Sequence, residues 1–175
     1  MSDEMIKEKI VLYATAKFFD DGLNITMESI AQDLGMSKKT LYKHFRNKTE
    51  LANEVVDGFL KRVSGIFESS FVNNKDPFIA ILSAFSMFAK QIAPKMSKKL
   101  LDDIQRLEPQ IWKKIDDFRI DRFKNYFPEV IKSSIRKGYI RPDINPEITI
   151  LMYISSVQAI INPKVLSESS FSPRE

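Results

Sequence analysis

Apolar residues recur three and four positions apart along most of this chain, the period of helices that bury one face, and they predict an all-α protein. Ile6, Ile10, Ala14 and Phe18 mark an amphipathic helix over residues 5 to 20, ending near Asp21 and Gly22. The stretch from Thr26 to Leu51, TMESIAQDLGMSKKTLYKHFRNKTEL, then sets two short helices and a tight turn in the spacing of a helix-turn-helix. Thr26 is placed as an N-cap, accepting from an orphan amide one turn on, and Glu28 suits the positive end of the helix dipole. Gly35 ends this helix, because it takes a left-handed conformation that strains other residues, and Met36 tucks back against it. Ser37 restarts the chain as a second N-cap. Leu41 and Phe45 point back at Ile30, Leu34 and Met36, with Ala31 small where the two helices cross. Two short helices bury too little surface alone, so the stripe on the first helix, with Leu23 and Ile25, completes their core.

Asn47 caps a much longer helix, with Glu50 at the third position as in a capping box, and Leu51, Val55, Phe59, Val63, Ile66 and Phe71 continue its face. Such a rod of about 38 Å can link a DNA-facing end to a second domain, so that its tilt changes the spacing of two heads in a dimer. Asn73 to Pro77 read as a loop, a cap and a first-turn proline. The next helix carries Phe78, Leu82, Phe85, Phe88 and Ile92 and stops before Pro94. Ser97 caps a short helix with Leu100, Leu101, Ile104 and Leu107, and Glu108 and Pro109 start another whose stripe includes Ile111, Trp112, Ile115, Phe118 and Phe123. Pro128 predicts a kink or break, since proline has no amide to donate to the preceding turn. Val130, Ile131 and Ile135 resume the pattern to Gly138. Asn145 and Pro146 start a helix to Ile161 that is apolar on nearly every side, which predicts burial on both faces, one of them against a second subunit or, alternatively, both within the core of a monomer. Ser172, Pro173, Arg174 and Glu175 repeat the start of a helix at the end of the chain, and predict a final helix beyond it.

Charge sharpens the picture at one place. The net charge of the 175-residue chain is only +4, but no acidic residue occurs between Gly35 and Lys48. Lys38, Lys39, Thr40, Tyr42, Lys43 and His44 are left over on the second short helix after its core positions are assigned, and are expected to face water, with Arg46 and Lys48 just beyond. A one-signed helix with small and hydrogen-bonding side chains near its start is suited to phosphates and a major groove. A hydrophobic share of 43% with 29% charged residues is that of an ordinary folded chain. The absence of cysteine excludes disulfides, thiol catalysis and thiolate-bound zinc, and fits a cytoplasmic location. His44 is the one histidine, with no acidic cluster in sequence beside it, and no cofactor or metal is expected. No serine–histidine–acid set, metal-spaced carboxylate pair or glycine-rich phosphate loop points to an enzyme. The apolar run from Ile148 to Ile161 is shorter than the roughly 20 residues of a membrane span, and no membrane segment is expected.

The motif, its place near the N-terminus and the ending LYKHFRNKTEL resemble the TetR family of one-component transcriptional regulators over roughly residues 5 to 60, with a weaker likeness at KGYIRPDINPE. The resemblance implies an N-terminal three-helix DNA-binding domain over residues 1–47. A helical regulatory, ligand-binding and dimerisation domain would follow over 48–175, joined by the long helix at about 47–72. It implies a homodimer on a palindromic double-stranded DNA operator, a repressor more often than an activator, released by a small molecule. It carries DNA contacts to Thr26, Lys38, Lys39, Thr40, Tyr42, Lys43, His44 and Lys48. Tyr42, His44 and Lys48 would fix orientation on phosphates, and Lys38, Lys39 and Thr40 would read bases. The family's ligand cavity, carried over, suggests Phe59, Phe85, Phe88, Trp112 and Phe123 as an apolar lining for a lipophilic effector, with Asp116, Arg119 or Gln158 orienting its polar end. The alternative is a helix-turn-helix DNA-binding scaffold with no effector, whose second domain would be filled.

Overall fold

The computed structural model describes residues 2–95 and 97–160. Among these, all regular structure is helical: α1 (Asp3–Asp21), α2 (Met27–Asp33), α3 (Lys38–His44), α4 (Lys48–Asn73), α5 (Pro77–Gln91), α6 (Lys98–Leu107), α7 (Pro109–Arg136) and α8 (Pro146–Ile160), with single 3-10 turns at Gly22–Asn24 and Ala93–Lys95. The chain divides into two compact units, one of Met1–Lys61 with Lys95–Lys113 and one of Arg62–Pro94 with Lys114–Glu175. The divisions fall inside α4 and α7.

The first unit is built on the predicted small core. Ile10, Ala14 and Phe18 of α1 are buried together with Leu23, Met27, Ile30, Ala31, Leu41, Phe45, Leu51 and Ala52. The predicted caps form: Thr26 Oγ1 accepts from Ser29 N at 3.1 Å, Ser37 Oγ from Thr40 N at 3.0 Å, and Asn47 Oδ1 from Glu50 N at 2.8 Å. Glu50 answers by accepting from Arg46 N at 2.7 Å. Gly35 has φ +63°, and Met36 N reaches back to Ala31 O at 2.9 Å, closing α2 with the turn its glycine predicts.

Two features of this unit go beyond the apolar periodicity. Ser2, not a residue near 5, caps α1, accepting from Met5 N at 3.3 Å. The turn between α1 and α2 is gripped by α6, whose buried Asp103 accepts from Leu23 N at 2.8 Å. Leu107, expected on the buried face of α6, is exposed.

In the second unit Phe123, Ile131, Ile150 and Ile154 form a core, with Phe85, Ile120, Phe127, Ile135, Ile144 and Tyr153 packed against it. Three expectations are corrected here. The buried face of α5 is Ala80, Ile81 and Ala84, while Leu82 is exposed and Phe85 and Phe88 are half-buried. So many positions of α5 are apolar that spacing fits more than one face, and the small residues allow the closest approach. Pro128 does not break α7, which runs through it as one helix. The lost amide costs one bond, and core residues on both sides, Phe123 and Phe127 before it and Val130 and Ile131 after it, keep the helix continuous. Finally, the stretch Pro77–Lys95 is by length and composition apolar enough to cross a membrane, with mean hydropathy 1.3. Within that stretch α5 has 15 residues and packs Ala80, Ile81 and Ala84 inside this unit.

Gly138, at φ +74°, ends α7, and Asn145 Oδ1 caps α8 through Glu147 N and Ile148 N at 3.0 and 3.1 Å. On α8, Ile150 and Ile154 are buried, while Ile148, Leu151 and Met152 are exposed in the single chain. The helix start expected at Ser172 to Glu175, and the end of the last helix at Ile161, lie outside the described residues.

Candidate nucleic-acid interface

α3 is a seven-residue helix, too short to persist alone, and its orientation comes from what it buries. Leu41 and Phe45, 0% and 1% exposed, fix it to α2 and α1. Lys38, Lys39, Tyr42 and Lys43 then project into solvent, with Thr40 half-buried beside the Ser37 hydroxyl at 2.8 Å. Thr26, at the start of α2, is exposed with its hydroxyl engaged as a cap.

The cations are not idle in the single chain. Lys38 pairs with Glu28 at 3.6 Å, and the Tyr42 hydroxyl donates to the same carboxylate at 3.3 Å. Lys43 pairs with Asp3, in the first turn of α1, at 2.7 Å. The bond from Lys43 holds the Asp3 carboxyl below its usual range. Glu28 is likewise lowered, first by its own backbone amide and then by Lys38. Burial, and after it the neighbouring Glu28, raises the Tyr42 hydroxyl. Exposed pairs of this kind are each worth about 0.2–1 kcal/mol, weak enough to be exchanged for phosphates.

Two of the proposed contacts sit differently from the rest. His44 does not face water: its side chain is 6% exposed, with Nε2 3.6 Å from Asp3. The first turn of α1 covers it, a packing that the spacing of α3 alone could not show. Lys48, half-buried at the start of α4, donates from Nζ to the carbonyl of Leu23 at 2.7 Å. Its ammonium is tied to the turn before α2. Tyr13 on α1 donates to Asp33 of α2, and that bond pushes the tyrosine hydroxyl up to about 12. Ser2, Asp3 and Asp103 were missed by sequence; a serine followed by two acids was a helix start in plain view, whereas nothing marked Asp103.

The residues suggested for an effector do not form one set. Asp116, Arg119 and Gln158 come together in the second unit: Arg119 pairs with Asp116 at 2.5 Å, and Gln158 donates to Asp116 at 3.3 Å. Phe85 and Phe123 stack at 6.5 Å in that unit's core, and Phe123 lies 4.3 Å from Tyr153. Phe88 is half-buried there. Phe59 and Trp112 belong to the first unit, where Phe59 rests on Phe19 at 5.8 Å.

Residues 11–55 match the family described as bacterial regulatory proteins, tetR family. The chain is 23% identical over 154 residues to the uncharacterized HTH-type transcriptional regulator YvaF of Bacillus subtilis, covering 88% of this chain and 80% of that protein. It is 25% identical over 138 residues to the HTH-type transcriptional repressor KstR2 of Mycobacterium tuberculosis, covering 77% and 69%. The solved structure of that ketosteroid transcriptional regulator matches with a TM-score of 0.64 at 21% identity, over 96% of this chain and 87% of the other. The fatty acid degradation regulator FadR of Bacillus halodurans matches in fold with the same TM-score at 18% identity, over 96% and 88%.

Proposed function

The chain belongs to the TetR family of bacterial transcriptional regulators, and from that premise we propose that it is a ligand-responsive repressor that binds a palindromic operator as a homodimer. The observation that carries the proposal is α3. It is a capped helix keyed by Leu41 and Phe45, showing Lys38, Lys39, Tyr42 and Lys43 to solvent, with no acidic residue from Gly35 to Lys48. On DNA, phosphates replace Asp3 and Glu28 as partners of Lys43 and Lys38, and the start of α3 enters the major groove. Lys39 and Thr40 are then the residues nearest base edges, and Tyr42 a phosphate contact. The DNA-binding segment ends at about residue 47, within the first compact unit, and the long helix α4 carries the effector's signal to the reading head. The exposed Ile148, Leu151 and Met152 of α8 supply an apolar face for the partner subunit, and the protein acts in the cytoplasm, where its DNA is.

Relatives named for ketosteroids and for fatty acid degradation support an effector with a large apolar body. The test is fluorescence anisotropy of the full chain on DNA from upstream of its own coding region, at two salt concentrations, against nonspecific DNA. Tight, selective and salt-sensitive binding is expected. Equal weak binding to both DNAs would overturn a local operator.

A further inference from the structure

The second unit holds buried charge that is incompletely paired among the described residues. Arg119 on α7 is only 15% exposed, and spends Nη2 on Asp116, which is 20% exposed. Its Nε and Nη1 are buried and meet no acceptor among the described residues. One turn on, Arg122 is 27% exposed. Its Nη2 donates to Ser64 at 2.9 Å and its Nη1 to the Tyr126 hydroxyl at 3.4 Å, but its Nε is also buried without an acceptor. Most buried polar groups in folded proteins are satisfied, so three orphan donors on two successive guanidiniums call for a specific cause. An arginine cannot escape by losing its proton, and its planar donors suit carboxylates.

The surroundings are those of an amphipathic guest. Asp116 also takes the Gln158 amide, so its two oxygens are both occupied. Glu68, 3.9 Å from Arg122, is 61% exposed and offsets it weakly. Two partly buried cations thus face one similarly buried anion. Phe118 lies under Arg122 at 5.0 Å, and Tyr153 meets Phe123 at a tilt with ring centres 4.3 Å apart. Burial raises the Tyr153 hydroxyl, and the charge of Arg119 opposes that rise.

We propose that Arg119, supported by Arg122, anchors the anionic head of the effector, a carboxylate carried on an apolar body. The proposal rests on the ligand-responsive reading above and gives its effector a charge. It also turns Asp116 and Gln158 from ligand contacts into positioning residues, since they fill each other and one edge of Arg119.

The test uses isothermal titration calorimetry of the full chain with two pairs of probes that differ at the head alone: decanoate against 1-decanol, and cholate against its methyl ester. For at least one apolar body, the carboxylate is expected to bind at least tenfold tighter than its neutral partner. Arg119→Met should remove that preference and leave the neutral probe within about threefold, and Arg119→Lys should restore part of it, because point charge survives without the planar donors. Equal binding of acid and neutral probe to the unaltered chain overturns the proposal without any variant, as does binding of none of the four, or an unchanged preference in a folded Arg119→Met protein. Operator release, followed in parallel by anisotropy, separates the two claims. Release by neutral probes alone keeps a ligand-responsive repressor and removes the anionic anchor. Arg119-dependent binding of a carboxylate that leaves DNA bound keeps the anchor and removes the effector role.

Discussion

Gly22→Ala is the sharpest perturbation of the reading head, because two separate costs meet at one atom. Gly22 has φ +73° and ψ −162°, a region that is essentially glycine's alone, so any side chain strains the backbone by about 1–3 kcal/mol. A methyl placed there would also lie 2.3 Å from Asp103 Oδ2 and 3.1 Å from Lys99 Cγ. The carboxylate must swing away, and the bond it accepts from Leu23 N at 2.8 Å goes with it. Stranding that buried amide costs about another 1–3 kcal/mol. The sum, about 2–6 kcal/mol, is a large part of the 5–15 kcal/mol typical of a whole domain. Urea unfolding followed by Trp112, the one tryptophan, reads the first unit, to which Trp112 belongs. In an Asp103→Ala background the steric part has already gone, so Gly22→Ala should cost only its backbone share. A double-mutant coupling of about 1–3 kcal/mol is expected, and a coupling below about 0.5 kcal/mol would refute the clash and the lost bond together.

Phe45→Ala empties a site that is 1% exposed and should cost about 3–5 kcal/mol, collapsing operator binding with stability, whereas Lys39→Ala should weaken operator binding and shift stability by less than about 0.5 kcal/mol; urea unfolding beside anisotropy separates them. Lys48→Ala should weaken binding to every DNA sequence and flatten the salt dependence by about 0.9 in log–log slope, and an unchanged slope rules out a phosphate contact. Asp76 caps α5 at Phe78 N and pairs with Lys137 at 2.7 Å, a bond that holds its carboxyl below the usual aspartate range. Because the folded value is the lower one, the pair stabilises above the ordinary aspartate value, and its contribution disappears as pH falls through the folded value. Asp76→Asn keeps the cap and loses the pair, so it should be less stable than the parent near neutral pH and converge with it in acid; a gap that persists at low pH refutes the assignment.

The helix-turn-helix was legible because each of its signals is local. The Thr26, Ser37 and Asn47 caps act three residues on, and Gly35 closes its turn within five, so one short window holds both the cause and the effect. The same window failed at His44, whose burial depends on Asp3 in the first turn of α1, far earlier in the chain, and at α5, where nearly every position is apolar and periodicity cannot choose a face. Pro128 failed for the opposite reason: a strong local rule was overridden by core packing on both of its flanks. In the second unit, sequence offered Asp116, Arg119 and Gln158 only as alternative polar groups; that they meet, and that donors of Arg119 are left over, is visible only when the described partners have been placed.

The most consequential contact that sequence could not show lies in the peptide of Leu23. Its N–H is taken by Asp103 of α6, 80 positions away, and its carbonyl by Lys48 of α4, 25 positions away. Both partners are charged, and hydrogen bonds to charged groups are worth about 1.5–3 kcal/mol each, more than the exposed ion pairs on α3. The turn that joins α1 to the reading head is therefore held more firmly than the DNA-facing cations themselves. Lys48 is also the residue expected to meet a phosphate, so its ammonium must either serve both acceptors or exchange one for the other. If it exchanges, Asp103 becomes the one charged partner left to the Leu23 peptide in the DNA-bound state, and a displacement of α6 that costs little in the free chain would then act more directly on the turn before α2. In that arrangement α6, rather than α3, sets how readily the head lets go of its operator.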